Sequence, residues 1–429
     1  MKPVIKLNSR LLPALVILLL AIQSAFPFDG WKILLVGLGG VWLISALWVL
    51  SLARGLRLTR EMRLGWKQVG DWMQERFSLI NRGPAPGLWV EIIDHSTLPD
   101  SRASRVIGVS GLNKWQWYTE SICNQRGVFT IGPTTVRTGD PFGVYTITIE
   151  YPSSSTLMVM PPVVPLPTID VAPGGRADEG HLSVNTLERA VTTSGVRDYV
   201  PGDSLRHIHW PTSARRESLF VRLFDNTPSG DWWIFLDLEA KSQLGKGKDS
   251  TEEHGVILAA SLADRGLRAD RAVGLVAYGQ QLVWLPPRPG NSQRWEIMRA
   301  LALVHPGKQP LSALLDRVRP TFKQLPSLIV ITPSLDRRWI EAMVPLKERG
   351  VVCTVLLLDP ASFGGQGAPT AAPALGLLAD LGVTHYLISR SMLDRPKARP
   401  GQREWRIMPT GKAVPVGPPR PSGEWKGLA

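Results

Sequence analysis

Two uncharged apolar stretches, Leu11 to Phe28 (LLPALVILLLAIQSAFPF) and Ile33 to Ala53 (ILLVGLGGVWLISALWVLSLA), set the first constraint on this chain. At about 1.5 Å of rise per residue, roughly 20 residues match a hydrocarbon core about 30 Å thick. The linker Asp29-Gly30-Trp31-Lys32 is too short to hold a domain, so the pair reads as a transmembrane helical hairpin. A cleavable signal peptide competes for the first stretch, because Lys2, Lys6 and Arg10 precede it. The immediate second span and the missing A-x-A-like cleavage site weigh against that reading. Basic residues flank both outer ends: Lys2, Lys6 and Arg10 before the first span, and Arg54, Arg57, Arg60, Arg63 and Lys67 after the second. The positive-inside bias then predicts a two-helix protein of the cell membrane, with both termini and all soluble domains in the cytoplasm. Trp31 and Trp48 fit interfacial anchoring or packing.

With 429 residues, the chain has room for two or three folded units. We place the hairpin at 1–55. From 56 to 165, short alternating runs (LWVEIID, KWQWYTESI, GVFTIGPTTVRTG, GVYTITIE, TLMVMPP) broken by turn residues predict an all-β, sandwich-like domain. A Pro-rich stretch and an Arg-dense segment fill 166–225. From 226 to 390, the apolar runs WWIFLDL, AVGLVAY, SLIVIT, VVCTVLLLD and THYLIS alternate with helical stretches at about 254–268, 291–304, 335–349 and 372–382. That rhythm predicts a mostly parallel sheet covered on both faces, a doubly wound α/β domain. The Pro/Gly/Arg-rich tail, 391–429, reads as partly disordered with one strand-like piece from Trp405 to Thr410. The two cysteines, Cys123 and Cys353, are far apart, and Cys353 sits in an apolar run where a buried, reduced thiol is expected.

Between the β-rich and α/β regions lie Arg197, Tyr199, Pro201, Gly202, Asp203, Arg206, Ile208, Trp210, Ser213, Ala214 and Arg215, followed by Leu219, Val221 and Arg222. Their order resembles the signature R-x-Y-x-P-G-D-x-x-R-x-I-x-W-x-x-S-A-R followed by L-x-V-R of the bacterial and archaeal domain of unknown function 58. Upstream, Arg126-Gly127, Gly132-Pro133 and Asp140-Pro141-Phe142-Gly143 are similar to elements of the same family. The resemblance implies an α/β domain like the von Willebrand factor A domain. It also implies genes commonly placed beside MoxR-type AAA+ ATPases, sometimes with transglutaminase-like membrane proteins, and no defining enzymatic activity. A membrane-anchored adaptor that works with such an ATPase is the function implied.

The residues offer several candidate chemistries. Von Willebrand A domains often hold Mg²⁺ through D-x-S-x-S, a Thr and an Asp; small hydroxyls suit an ion needing compact oxygen ligands. This chain has Asp237-Leu238-Glu239-Ala240-Lys241, with Glu239 for the first Ser and Lys241 for the second, then Thr332-Pro333-Ser334 where an Asp is usual. Asp237 and Glu239 are therefore candidate metal ligands of a degenerate site, and a Mg²⁺-dependent ligand-binding domain is the alternative function. His207 and His209 would share one face of an extended segment, but no third Cys or His lies nearby, so packing or hydrogen bonding is preferred. The charged signature residues Arg197, Asp198, Asp203, Arg206, Arg215 and Arg222, with Tyr199, His209 and Trp210, suit either a network pinning the segment or a docking site for a protein partner. A hydrolase built from Ser213, His209 and Asp203 is a third option without a nucleophile-elbow motif. Lys246-Gly247-Lys248-Asp249-Ser250 fails the spacing of a phosphate loop. The 16 tryptophans lie mostly in apolar or alternating runs and are assigned to packing.

The formal net charge of +13 invites a nucleic-acid reading. Its distribution removes it. Residues 1–10 carry three basic side chains, 54–67 five basic and one acidic, and 390–429 nine basic and three acidic, which account for the whole excess. The folded domains are formally neutral, so no nucleic-acid partner is expected; no cofactor is expected apart from the Mg²⁺ of the alternative reading. The membrane flanks match anionic headgroups.

Overall fold

The N-terminal apolar stretches fold as two helices in the computed structural model. It describes residues 3–63, 67–101, 103–166, 169–171, 193–200, 208–216, 218–224, 231–318, 326–364 and 369–393, with strands at 405–407, 413–415 and 425–428. The chain divides into two units, Met1–Pro162 with Pro396–Ala429, and Val163–Arg395.

In the first unit, strand β1 (Val4–Leu7) leads into α1 (Leu11–Ala25), and α2 (Asp29–Gly55) follows. Among the described residues, α2, at 27 residues, is the one helix long and apolar enough to cross a membrane. The first span, expected to run through Phe28, is corrected to 15 residues, about 22 Å. Pro27 follows too soon for the helix to continue past it, because the residue before a proline is disfavoured in the helical region.

No loop separates α2 from β2 (Leu56–Arg63). Then come β3 (Lys67–Gln68), β4 (Trp72–Asn81), β5 (Gly87–Asp94), β6 (Arg105–Val109), β7 (Asn113–Ile122), β8 (Gly127–Ile131), β9 (Thr134–Gly139), β10 (Tyr145–Tyr151) and β11 (Ser155–Met160). They form sheets ordered β1-β10-β9-β5-β6, β2-β4-β7 and β3-β11-β8. Period-two alternation sends Leu58, Phe77, Leu79 and Trp117 from one sheet, and Val90, Ile92, Val136, Ile147 and Ile149 from another, into one core. Phe77 stacks on Trp117 with centroids 5.2 Å apart. Val49 and Leu52 of α2 are buried in that same core, each worth about 1.5–3 kcal/mol of apolar transfer. The tail is corrected in part: Trp425–Leu428 extends the β2 edge antiparallel, pairing Arg60 with Leu428, and Trp405–Ile407 pairs with Ala413–Pro415.

The second unit opens with β12 (Thr193–Asp198), α3 (Trp210–Arg216) and β13 (Phe220–Phe224). Then follow β14 (Trp232–Leu236), α4 (Thr251–Arg268), β15 (Val273–Tyr278), β16 (Leu282–Arg288), α5 (Asn291–Leu303), α6 (Leu311–Val318), β17 (Ser327–Thr332), α7 (Arg337–Glu348), β18 (Val352–Leu358), α8 (Pro360–Gly364), α9 (Ala372–Asp380) and β19 (Thr384–Ile388). The six-stranded sheet has the order β16-β15-β14-β17-β18-β19, parallel except for the β15–β16 pair. Trp233 and Phe235 pack in the cluster that holds Leu314 and Leu315 of α6, Trp339 and Met343 of α7 and Leu378 of α9. The opposite face meets α4, where Gly255 and Gly266 lie close enough that an added Cβ would stand 2.9 Å from Leu236 and 2.8 Å from Trp232. Helices thus cover both faces, which is why β14 and β17 are buried at every position. Cys353 is buried here and burial pushes its thiol up to about 12; Cys123 is buried in the first unit and pushed up to about 11.

Candidate functional site

From β14 the chain leaves for β15 on one side of the sheet, and from α6 it returns to β17 on the other. The switch in strand order therefore falls between the ends of β14 and β17, where open α/β sheets leave a crevice for ligands. Asp237 follows β14 directly, and Thr332 ends β17. The Asp237 N–H donates to Ile331 O at 2.9 Å, and the Thr332 hydroxyl donates to Asp237 Oδ2 at 2.6 Å. Asp237 Oδ1 accepts the Glu239 N–H at 3.0 Å, and Gln243 Nε2 donates to the Asp237 carbonyl at 3.1 Å. On the other loop, Thr332 Oγ1 accepts the Ser334 N–H at 2.9 Å and Ser334 Oγ accepts the Asp336 N–H at 3.2 Å. One buried carboxylate thus fastens both loops.

Asp237 is only 3% exposed. Burial pushes its carboxyl up to about 6, against the hydrogen bonds from Thr332 and Glu239. Asp336 behaves oppositely: the Arg338 guanidinium and main-chain N–H hold it below the usual carboxylate range. Asp336 also caps α7. On the rim, Lys241, Arg337 and Arg338 are exposed.

The two predicted metal ligands, Asp237 and Glu239, do lie at this edge, but the donor set does not fit a Mg²⁺ cage. Both Asp237 oxygens are engaged inward, Ser242 Oγ donates to Glu239 Oε2 at 3.3 Å, and Lys241 stands where a hydroxyl ligand is needed. Among the described residues no group of three or more His, Cys, Asp or Glu side chains is placed to hold a metal. In the sequence Thr332 and Ser334 stand out only as occupying the place where an Asp ligand is usual, and Gln243 was missed as a member of the cluster. The signal at Thr332 is a polar residue closing a buried strand, SLIVIT.

The signature residues fold around a hairpin. Strands β12 and β13 pair antiparallel, with Arg197 opposite Val221 and Val196 opposite Arg222. The Tyr199 N–H donates to Leu219 O at 2.8 Å, and the His209 N–H to Phe220 O at 2.7 Å. Ser213 is buried, and its Oγ accepts the Phe220 N–H at 2.9 Å; the His209 ring meets the Thr212 hydroxyl at 2.7 Å. The candidate Ser213–His209 pair of a hydrolase is therefore not hydrogen-bonded; each side chain serves the hairpin. Trp210, Ala214 and Arg215 are exposed. Pro201, Gly202, Asp203, Arg206 and His207 lie outside the described residues.

A second buried polar cluster was not foreseen. Arg60 on β2 bonds Glu75 of β4 at 2.7 Å, Asp94 of β5 at 2.6 Å and Thr134 of β9 at 2.9 Å, joining two sheets through one guanidinium. Burial raises the Glu75 carboxyl even with Arg60 beside it. For Asp94, burial is outweighed by Arg60, Ser96 and Ser101, which leave it lowered.

Comparison with known proteins places this chain beside uncharacterised relatives. Residues 195–364 match the family model described as Protein of unknown function DUF58. The chain is 24% identical over 309 residues to "Uncharacterized protein YeaD" of Bacillus subtilis (strain 168), covering 67% of this chain and 73% of that protein. It is 22% identical over 170 residues to "Uncharacterized protein Rv1480" of Mycobacterium tuberculosis (strain ATCC 25618 / H37Rv), covering 38% of this chain and 54% of the relative.

Proposed function

We propose that this chain is a membrane-anchored, non-enzymatic adaptor, held by an N-terminal hairpin in which the 15-residue α1 accompanies the longer α2 through the membrane, with both termini and both soluble units on the cytoplasmic side. Its α/β unit docks a MoxR-type AAA+ ATPase in the assembly or maturation of protein complexes. The observation that carries this reading is the sheet edge around Asp237. Its buried polar groups are spent on holding two loops, and its rim offers the cation Lys241 together with Arg337 and Arg338, which pair with Glu341 and Asp336, a charged surface suited to an acidic protein partner. The strand order, the antiparallel β16 edge and the Asp at the end of the central strand support the von Willebrand factor A-like reading of this unit. The DUF58 match and the apolar α2 support the family and the anchor.

The test is affinity capture with the full chain from detergent-solubilised membranes of its own host. An AAA+ ATPase of the MoxR class is expected with the wild type, and several-fold less with Lys241→Glu/Arg338→Glu. Repeated captures without any ATPase of that class overturn the proposal.

A further inference from the structure

We infer that one face of the β-rich unit is seated in the lipid interface, with the turn at Phe142 inserted among the headgroups of an anionic bilayer. This rests on the reading of α2 as the membrane anchor.

The argument begins with a mismatch of lengths. Apolar side chains stand exposed along α2 from Ile33 to Leu50, about 26 Å of helix. The β-rich unit nonetheless grips that helix from Trp42 onward. Trp42 Nε1 donates to the Tyr145 hydroxyl at 2.7 Å, Trp48 Nε1 to Pro86 O at 3.0 Å, and the Ala85 N–H to Ser51 Oγ at 3.3 Å. Over Trp42–Leu50, about 12 Å, the helix turns Leu43, Ile44, Leu47 and Leu50 outward while its other side is held by the β-rich unit. The portion above Trp42 is only about 20 Å long, and α1 about 22 Å, against a core of about 30 Å. Lipid covers Leu43–Leu50 only if the β-rich unit itself enters the interface.

The surface beside the helix is built for that position. Phe142 is 56% exposed at the tip of the β9–β10 turn. The turn is fixed: Asp140, 2% exposed, accepts the Phe142 N–H at 2.9 Å and the Tyr145 N–H at 2.5 Å, and Gly143 takes φ 72°. Tyr145 is the residue whose hydroxyl meets Trp42, so Phe142 is held out of the core and close to the anchor. On the neighbouring edge, β1 exposes Val4 and Ile5, and its exit is tied down by the Asn8 N–H donating to Val144 O at 2.8 Å. Leu112, 77% exposed, donates its N–H to Gly83 O at 3.0 Å, and Gly83 packs on Ser51 of α2. Lys6 on β1, Arg10 just before α1, and Arg54 and Arg57 at the junction of α2 and β2 are exposed. Apolar side chains rimmed by cations suit a surface buried about 5–10 Å into the headgroup/acyl boundary of an anionic membrane.

The test uses the full chain in phosphatidylcholine/phosphatidylglycerol vesicles, with an environment-sensitive fluorophore on a cysteine at Phe142→Cys. Companion labels sit at Val36→Cys on α2 and at Glu120→Cys, exposed at the far end of β7. The inference predicts blue-shifted emission at 142 that is strongly quenched by lipids carrying a shallow nitroxide, with quenching at 36 and a water-like, unquenched label at 120. A water-like label at 142 with quenching at 36 overturns the inference and leaves the anchor intact. Water-like emission at both 142 and 36 overturns the anchor with it. Shielding at 142 without lipid quenching, together with cross-linking between copies through that cysteine, assigns the face to a second copy and also overturns the inference.

Discussion

Asp237 shows how one residue couples protonation to architecture. Its carboxyl is raised from about 4 to about 6 because burial penalises the charge more than Thr332 and Glu239 compensate it. A raised folded-state value means the folded protein holds the proton more tightly than the unfolded chain. Its contribution is therefore most favourable below about pH 4, falls as pH rises toward 6, and is flat above that, a swing on the order of 3 kcal/mol. Asp237→Asn should remove this slope. The difference in Tm between the variant and the wild type, followed from pH 4 to 7, is predicted to shift in the variant's favour as pH rises; a constant difference would show that Asp237 does not titrate in this window. The residue itself was legible in the sequence as the carboxylate ending WWIFL. Its partner Thr332, 95 positions away, was brought beside it only by the family resemblance, because chain order by itself does not say which strands adjoin. Glu75 and Asp94 escaped for a related reason: on alternating strands an inward charge reads as a surface charge until its guanidinium partner is placed opposite it.

At the scale of elements, the junction of α2 and β2 carries the most consequence. Gly55 closes the helix where a Cβ would lie 2.4 Å from Gly83 N, a backbone atom that cannot step aside. Gly55→Ala is predicted to cost about 1–3 kcal/mol by overpacking, read as a lowered Tm of the full chain in detergent. Gly37→Ala, on the same helix with open space around it, should be neutral or slightly stabilising. Equal effects of the two substitutions would contradict a fitted junction. Most elements of the α/β unit follow from periodicity: the helices expected at 254–268, 291–304, 335–349 and 372–382 are α4, α5, α7 and α9 to within three residues. The antiparallel β16 (LVWLPPR) and the short α6 were not legible. Two prolines obscure the first, and the second is only 8 residues long. The uniform apolarity of 33–53 likewise hid the division of α2 between an outward face and the β-rich core. That division is a tertiary contact, invisible to hydropathy.

For the whole molecule, charge and membrane geometry belong together. The formal +13 resolves into basic residues around the N-terminal helices, of which Arg60 is buried against Glu75 and Asp94, and a basic tail whose last strand, Trp425–Leu428, pairs with Arg60–Arg63 of β2. A composition that suggested a polyanion-binding protein describes a neutral body with cations gathered mainly near its N-terminal helices and in that tail. The proposed adaptor role requires that body to lie on the cytoplasmic side of a membrane. The most direct measurement is therefore thiol labelling of single-cysteine variants in intact spheroplasts with a membrane-impermeant maleimide. The account predicts that a cysteine at Asp29, the first residue of α2 at the hairpin tip, labels from outside, whereas one at the exposed Lys308 of the α/β unit labels only after permeabilisation. Labelling at 308 in intact spheroplasts would contradict a cytoplasmic adaptor.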